Sequence, residues 1–473
     1  MKRIAIFGTS ADPFGAHHES ILLGLSVWQD PCFDEIVVIP CGPRNDQPNT
    51  QRTPALHRAA MTDIACQGIP KVTVDLSDLE RDEFSPLIDL NRRYGADGSE
   101  VWHVIGSDLI VGGATGDSEI HRWVQGKEIW QWCRFLVMDR PGFPVVWADL
   151  PPRHVLVSQA RGGSSGEIRR RLAQRQSIAG LVSGRVGSYL NRYGLYGENP
   201  LPRETKREIR KPRIFTVFDS SNVKAVEFVR SLASRVLSPD QADLILVAGG
   251  DGTMLRAIHG YWRSRLPFFG VNFGTVGFLL NEVKEADSLE TLDQPLTVFQ
   301  SPLLEVEMEH PDGRRSAGFA FNDAYLQVAP TSRSCGWIEV AVDGIVKFPR
   351  LVAYAALVAT PAGSTAYARL MGAPPLKMGS DRLVLAAAMV DEPWDWRPSY
   401  LYLPSTSIIE FRDVDPAASP RRRLPHGYFD GLDFGEVSRL RVRLSRTAAA
   451  ELAFLPGHDF QTRQARLRHL VNL

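Results

Sequence analysis

Asp243-Leu-Ile-Leu-Val-Ala-Gly-Gly-Asp-Gly-Thr-Met-Leu-Arg-Ala-Ile258 constrains the fold more than any other stretch of the chain. Leu244–Ala248 is a short continuous apolar run with the length and content of a buried strand. Thr253–His259 reads as a helix that Gly260 can close. Gly249, Gly250 and Gly252 lie between them, free to take φ > 0 and to let another molecule touch the backbone. Such a turn presents unpaired N–H groups at the positive end of a helix, which suits phosphate. Asp251 is the unexpected residue, because a carboxylate beside a polyphosphate is repelled. It belongs there if Mg²⁺ intervenes, or if it accepts the proton of a hydroxyl attacking phosphorus. The structural alternative is a tight turn with an Asp capping a helix. Taken alone the motif says phosphate, and no G-x-x-x-x-G-K-[ST] run makes it a P-loop.

A chain of 473 residues is too long for one ordinary domain, so two or three are expected. Lys+Arg and Asp+Glu are both 54, and no global charge asks for nucleic acid or an anionic membrane. No apolar run approaches the roughly 20 residues that span a bilayer. Strand-like sequence from Arg3 leaves no room for a signal peptide. Five scattered cysteines with no C-x-x-C pair fit a reducing cytoplasm better than a disulfide framework or a cysteine zinc site.

In order along the chain, Arg3–Phe7, Glu35–Pro40, Lys71–Leu76, Val101–Ile105, Arg134–Met138 and His154–Val157 read as strands. Helical patterns lie between most of them, as at Glu19–Trp28, Thr53–Cys66 and Pro86–Tyr94. That alternation predicts a doubly wound parallel sheet, with ligands gathering outside the carboxyl ends of its strands. Gly8-Thr-Ser-Ala-Asp-Pro-Phe-Gly-Ala-His-His18 lies at one such end. His17 and His18 are either a surface pair or imidazoles placed beside a triphosphate, stabilising charge as it develops. Ser164-Ser-Gly-Glu-Ile-Arg169 is either a second phosphate element or an N-capped helix, Ser164 or Ser165 serving as cap, with a basic solvated face.

These residues carry a resemblance. Phe7–His18, Ile105-Gly-Ser-Asp-Leu109, Asp139-Arg-Pro-Gly142, Ser164–Arg169 and Tyr189-Leu-Asn-Arg-Tyr-Gly-Leu-Tyr196 together resemble a nicotinate/nicotinamide mononucleotide adenylyltransferase over nearly all of residues 1–196. The family patterns are F-G-G-T-F-D-P-I-H-x-G-H, G-x-D and S-S-T-x-I-R. Gly15 stands at the first family His, His17 at the family Gly, and Gly166 at the Thr of S-S-T, while His18 matches the second His. Arg44 or Asp46 lies where the family has a lysine loop. The resemblance implies attack of a mononucleotide 5′-phosphate on the α-phosphorus of ATP-Mg²⁺, with release of pyrophosphate. It casts His18 as catalytic, Gly8, Thr9, His17, Ser164, Ser165 and Arg169 as ATP-binding, and Gly106 and Asp108 as mononucleotide-binding.

Residues 197–212, with three prolines and many charges, read as a linker. A strand begins afresh at Ile214–Phe218, and Val223–Val236 has helical periodicity. Gly270-Val-Asn-Phe-Gly-Thr-Val-Gly-Phe278 is a second glycine turn after an apolar run. Short alternating strands follow, such as Leu303–Met308, Ala324–Val328, Trp337–Val342 and Leu440–Leu444. They predict a β-sandwich-like part, about 296–449, beside a small α/β part, about 213–295 plus a C-terminal return. Within it Thr360-Pro-Ala-Gly-Ser-Thr-Ala-Tyr367 taken alone reads as a polar turn between sheets.

With Val247–Leu255, Gly270–Phe278 and Phe321-Asn-Asp-Ala324, that run resembles an NAD kinase over residues 213–473. Arg397-Pro398, Asp430-Gly431 and Asp459-Phe460 agree. The family patterns are G-G-D-G-T, G-I-N-x-G-x-L-G-F-L, L-N-E and T-P-T-G-S-T-A-Y. The first is shared with diacylglycerol kinases and phosphofructokinases, whereas the T-P-x-G-S-T-A-Y run is highly specific. Asp323 replaces the family Glu, Ala362 a Thr, and Met371-Gly-Ala-Pro374 stands at S-A-G-G-P. The resemblance implies that Asp251 assists the adenosine 2′-hydroxyl of NAD as it attacks the γ-phosphorus of ATP. Gly249, Gly250, Gly252 and Thr253 would hold phosphate; Asn322, Asp323, Thr360, Ser364, Thr365 and Tyr367 would line the dinucleotide site.

The expectation is therefore one cytoplasmic, homo-oligomeric polypeptide with two transferases of pyridine-nucleotide synthesis. It acts on ATP, nicotinate or nicotinamide mononucleotide and NAD, with Mg²⁺ arriving on ATP and no protein-held metal. The alternative is an NAD kinase whose N-terminal half has lost its chemistry and senses or docks nucleotides. A lipid or sugar kinase, the third reading, lacks the T-P-x-G-S-T-A-Y run.

Overall fold

The structure is a computed structural model that describes residues 1–44, 53–140, 142–157, 163–197, 204–208, 212–232, 236, 238–282, 295–329, 335–391, 399–414, 424–458 and 462. The chain forms two compact units, Met1–Leu201 and Pro202–Leu473. Among the described residues no helix is long and apolar enough to cross a membrane.

In the first unit the apolar runs become β1 (Arg3–Thr9), β2 (Glu35–Pro40), β3 (Val72–Val74), β4 (Glu100–Gly106), β5 (Arg134–Met138) and β6 (His154–Val157). They form one parallel sheet in the order β3-β2-β1-β4-β5-β6. The chain winds outward from β1 to β3 and returns to start again at β4, so the turns after β1 and β4 diverge around a crevice. Helices Ala55–Cys66 and Gly184–Arg192 meet through the buried ring of Tyr189, whose hydroxyl lies 2.9 Å from His57 Nδ1. The first helix begins at Ala16 rather than Glu19, because the extended backbone of Gly15 already caps it.

The second unit contains β7 (Glu204–Glu208), β8 (Ile214–Phe218), β9 (Leu244–Gly249), β10 (Pro267–Asn272), β11 (Pro295–Glu309), β12 (Arg315–Ala320), β13 (Asp323–Gln327) and β14 (Gly336–Val342). It continues with β15 (Ile345–Ala353), β16 (Ala355–Ala359), β17 (Arg382–Ala388), β18 (Tyr400–Pro404), β19 (Ile409–Asp413), β20 (His426–Phe429), β21 (Leu432–Glu436) and β22 (Arg439–Phe454). The expected linker is thus not irregular throughout, since β7 pairs with Pro295–Phe299 of β11. An edge strand needs backbone partners and tolerates charge, which is why its polar sequence hid it. The helix expected over Val223–Val236 ends at Ser231.

The α/β and β-rich parts share one ten-stranded sheet instead of meeting at a boundary. Its main path runs β15-β14-β19-β22-β10-β9-β8, with β11 added beside β22. β22 pairs in parallel with β10 through Glu451–Ala453 and antiparallel with β19 through Arg439–Val442. A second sheet, β18-β17-β16-β13-β20-β21, packs its apolar face on the antiparallel part of the first. Period-2 alternation explains the packing: Leu304, Val306 and Met308 of β11 point into that core. Glu305, Glu307 and Glu309 stand opposite Arg443, Arg441 and Arg439 on the other face.

Candidate functional site

In the first unit the turn after β1 is held from three sides. Arg58 donates to the carbonyls of Ser10 and Cys41 at 2.8 and 2.7 Å. Ser165 Oγ donates to the Pro13 carbonyl at 2.9 Å, Arg169 to that of Asp12, and the Tyr196 hydroxyl to the Asp12 carboxylate. Ser165 and Arg169 therefore fix the turn as well as facing the crevice. Ser164 caps helix Ser165–Ala173, accepting from Glu167 N at 3.2 Å. Arg170 and Arg171 pair with Glu167 on the solvated face.

His18 accepts the Gly15 N–H on Nδ1 at 3.1 Å, which leaves its proton on Nε2, 3.4 Å from Thr9 Oγ1. Burial, with His17 and Arg140 beside it, holds the pKa of His18 well below the ordinary histidine value. Burial, aided by the Arg140 charge, pushes His17 down to about 4. Both imidazoles are thus neutral N–H donors at neutral pH. A Cβ at position 15 would lie 2.6 Å from His17 Cε1 and Nδ1. The His17 ring therefore stands where a side chain at position 15 would be.

The end of β4 supplies Gly106 and Asp108, whose carboxylate pairs with Arg140. A Cβ on Gly106 would strike both side chains. The crevice opens into a cavity of about 970 Å³. All nine residues picked from the sequence of this unit line it: Gly8, Thr9, His17, His18, Gly106, Asp108, Ser164, Ser165 and Arg169. Arg122, Arg140 and His103 also line it and were missed. Arg140 had a signal, its place in the quoted Asp139–Gly142 run, whereas nothing near Arg122 marked it. Arg44 lines the cavity, stacked over Phe84, while Asp46 lies outside the described residues.

In the second unit β9 is buried throughout and leads into helix Asp251–Tyr261. The helix starts two residues before the expected Thr253, because the Gly250 carbonyl already accepts from Thr253 N and Met254 N, and Gly260 lies inside it. Asp251 accepts Phe278 N at 3.0 Å and Leu279 N at 2.9 Å, which ties the first glycine turn to the second. A Cβ on Gly274 would come within 3.0 Å of the Gly250 Cα, and one on Gly249 within 2.5 Å of Thr253 Oγ1. Gly277 has φ +64°, a left-handed turn that favours glycine. A Cβ on Gly252 would meet only the tip of Arg256, at 3.9 Å.

The hydroxyl-rich run folds onto Asn322. Thr360 N donates to the Asn322 carbonyl at 2.8 Å, and Thr360 Oγ1 donates to that of Phe321 at 2.7 Å. A Cβ on Gly363 would sit 2.0 Å from the Asn322 carbonyl oxygen, so only glycine allows this approach. Ser364 and Thr365 donate to the carbonyls of Pro361 and Ala362, and Tyr367 to Gln327. Ala362 is buried in one apolar cluster with Met254, Ala257, Ile258 and Phe321. Asn322 Oδ1 is buried without a partner. Burial, with Asp430 beside it, pushes Asp323 up to about 8 against the opposing N–H of Tyr367. Asp430 and His259, which sequence reasoning left out of the site, join these groups. Arg397, Pro398, Asp459 and Phe460 lie outside the described residues. Among the described residues no cluster of three His, Cys, Asp or Glu could hold a metal ion.

Comparison with known proteins places this second arrangement among relatives. A family profile described as the ATP-NAD kinase N-terminal domain matches residues 203–297. The chain is 34% identical to the NAD kinase of Zymomonas mobilis over 229 residues, 48% of this chain and 85% of that protein. It is 37% identical to the NAD kinase of Rhizorhabdus wittichii over 226 residues, 47% of this chain and 84% of that protein. A crystal structure of yeast NADH kinase complexed with NADH aligns at 15% identity and a TM-score of 0.47, covering 56% of this chain and 92% of that one.

Proposed function

The chain belongs to the NAD kinase family, and we propose that residues 213–473 transfer the γ-phosphoryl group of ATP to the adenosine 2′-hydroxyl of NAD. The observation that carries the mechanism is the place of Asp251, at the head of a helix between two glycine turns. An ionised carboxylate has about four acceptor sites, and the two N–H bonds leave room for a substrate hydroxyl. Asp251 then takes the proton as the oxygen attacks phosphorus, while the backbone N–H groups of Gly250–Gly252, at the start of the helix, face the phosphates. Mg²⁺ enters with ATP. Asn322 Oδ1, buried and unpartnered, is an acceptor for a hydroxyl or amino group of the dinucleotide. The test is NADP formation by the purified chain from NAD and ATP-Mg²⁺, and its loss in Asp251→Asn.

For residues 1–196 we propose a nucleotide-binding site in the cavity between β1 and β4. A volume of about 970 Å³ suits a nucleotide, and neutral imidazoles with Arg140 and Arg169 suit its phosphates. Adenylyl transfer to nicotinate or nicotinamide mononucleotide is the second reading. One observation favours it: the His17 ring fills the space above Gly15, so an imidazole still accompanies His18. Pyrophosphate release from ATP with either mononucleotide separates the readings. Nucleotide binding without pyrophosphate leaves a binding unit only.

A further inference from the structure

Resting on the kinase reading of the second unit, we propose that His259 is a positioning residue. Through Asp430 it sets the Phe321–Asp323 turn, which carries Asn322 and Asp323, against the helix that Asp251 heads. The two sites the reaction must align, for phosphate and for dinucleotide, are thereby fixed to one helix.

Asp430 and Gly431 both have positive φ, +47° and +78°, and join β20 to β21 by a tight hairpin turn. That turn aims the Asp430 carboxylate back at the chain between β12 and β13. Asp430 Oδ1 accepts Asn322 N at 2.7 Å and Asp323 N at 3.2 Å, and Oδ2 accepts Phe321 N at 2.7 Å. The fourth donor is His259 Nε2, 2.8 Å from Oδ2. Four donors fill the capacity of a carboxylate that is itself 1% exposed. The acceptor partner places the His259 proton on Nε2, and the ring lies nearly parallel to Phe429, 22° and 5.8 Å away. His259 is two helical turns from Asp251, about 12 Å along the axis, too far to touch the same phosphate. Its action is therefore on the turn. Three backbone donors still hold Asp430 when the imidazole is removed, so the turn survives but loses its link to the helix.

The experiment compares the full-length chain with His259→Phe, which keeps a ring against Phe429 but has no N–H, and His259→Gln, which restores a donor. KM for NAD, KM for ATP, kcat and Tm are measured for each. Loss of a hydrogen bond to a buried charge should raise the NAD KM of the Phe variant at least about fivefold. KM for ATP should stay within about twofold, and Gln should recover most of the loss. An unchanged NAD KM in the Phe variant overturns the proposal, as does a loss in kcat alone that Gln does not recover. If the Phe variant does not fold, Gln is compared with His259→Asn, too short to reach Asp430, and equal NAD KM values overturn it. A wild-type chain that makes no NADP would defeat the kinase reading itself, an outcome separate from all of these.

Discussion

At the end of β1 a Cβ on Gly8 would meet nothing within 4 Å, and the turn looks onto a cavity of about 970 Å³. At the end of β9 the glycine turn lies against a second one, so that a Cβ on Gly274 would come within 3.0 Å of the Gly250 Cα. Both begin as a buried strand, a small-residue turn and a helix. In the first unit the missing side chain leaves space for a ligand; in the second it lets two stretches of backbone meet. A glycine turn after a strand thus marks close approach, and the surrounding structure decides what approaches. The acids differ likewise. Asp108 pairs with Arg140 at the cavity wall, whereas Asp251 is held by two backbone N–H groups.

The sharpest way to break this contrast is Asp251→Asn. A positioned base contributes on the order of 10²-fold or more, so kinase turnover should fall by at least that, with nucleotide binding in the first unit unchanged. If more than about a tenth of the rate survives, against that minimum, Asp251 serves only to tie the turns. Arg140→Ala is the counterpart in the open site. Loss of a charge-assisted contact, with Asp108 left facing the phosphates, should weaken nucleotide binding about tenfold, read by calorimetry, and spare the kinase.

Smaller effects test the glycines. Gly274→Ala forces a Cβ onto Gly250 and should lower the Tm of the second unit by a few degrees. Gly8→Ala should leave Tm unchanged and reduce only ligand affinity. Equal Tm losses would show that the first turn is as tightly packed as the second.

The last contrast is in pH dependence, where the signs oppose. His17 is pushed down to about 4, so between there and the ordinary value near 6.5 the unfolded chain holds a proton that the folded one does not. Stability of the first unit should rise with pH through that window. Asp323 is pushed up to about 8 from an ordinary value of 3.8, so the folded state holds the extra proton. Stability of the second unit should fall as pH rises through that window, and Asp323→Asn should flatten the fall. Denaturation profiles from pH 4.5 to 8 that slope the same way in both units would contradict this.

The first unit's sheet was readable in the sequence because each strand is a continuous apolar run bounded by helical periodicity, as at Glu35–Pro40 and Arg134–Met138. The nine cavity residues were readable because they sit at the carboxyl ends of strands or on the turns and helix starts that follow them, where such a sheet must open. Arg122 was not, since a side chain reaching a cavity from a short helix leaves no periodic trace. In the second unit the four-donor clasp on Asp430 was invisible. It joins residues 107, 108, 109 and 171 positions away in the chain, and each bond depends on a hairpin turn. The shared sheet was hidden for a related reason: Arg439–Phe454 contains an alternating segment and then an apolar one, which read as a strand and its aftermath.

That strand also governs how the second unit can deform. β22 is hydrogen-bonded to β19 and β11 along its first half and to β10 and β11 along its second. Among the described residues a paired strand runs continuously from one part into the other, so motion between them must twist or bend it. Closure around two substrates would then be a shallow, elastic shear and not a hinge swing. The same continuity predicts a single cooperative opening unit, in which amides of β10 and β19 exchange with solvent together.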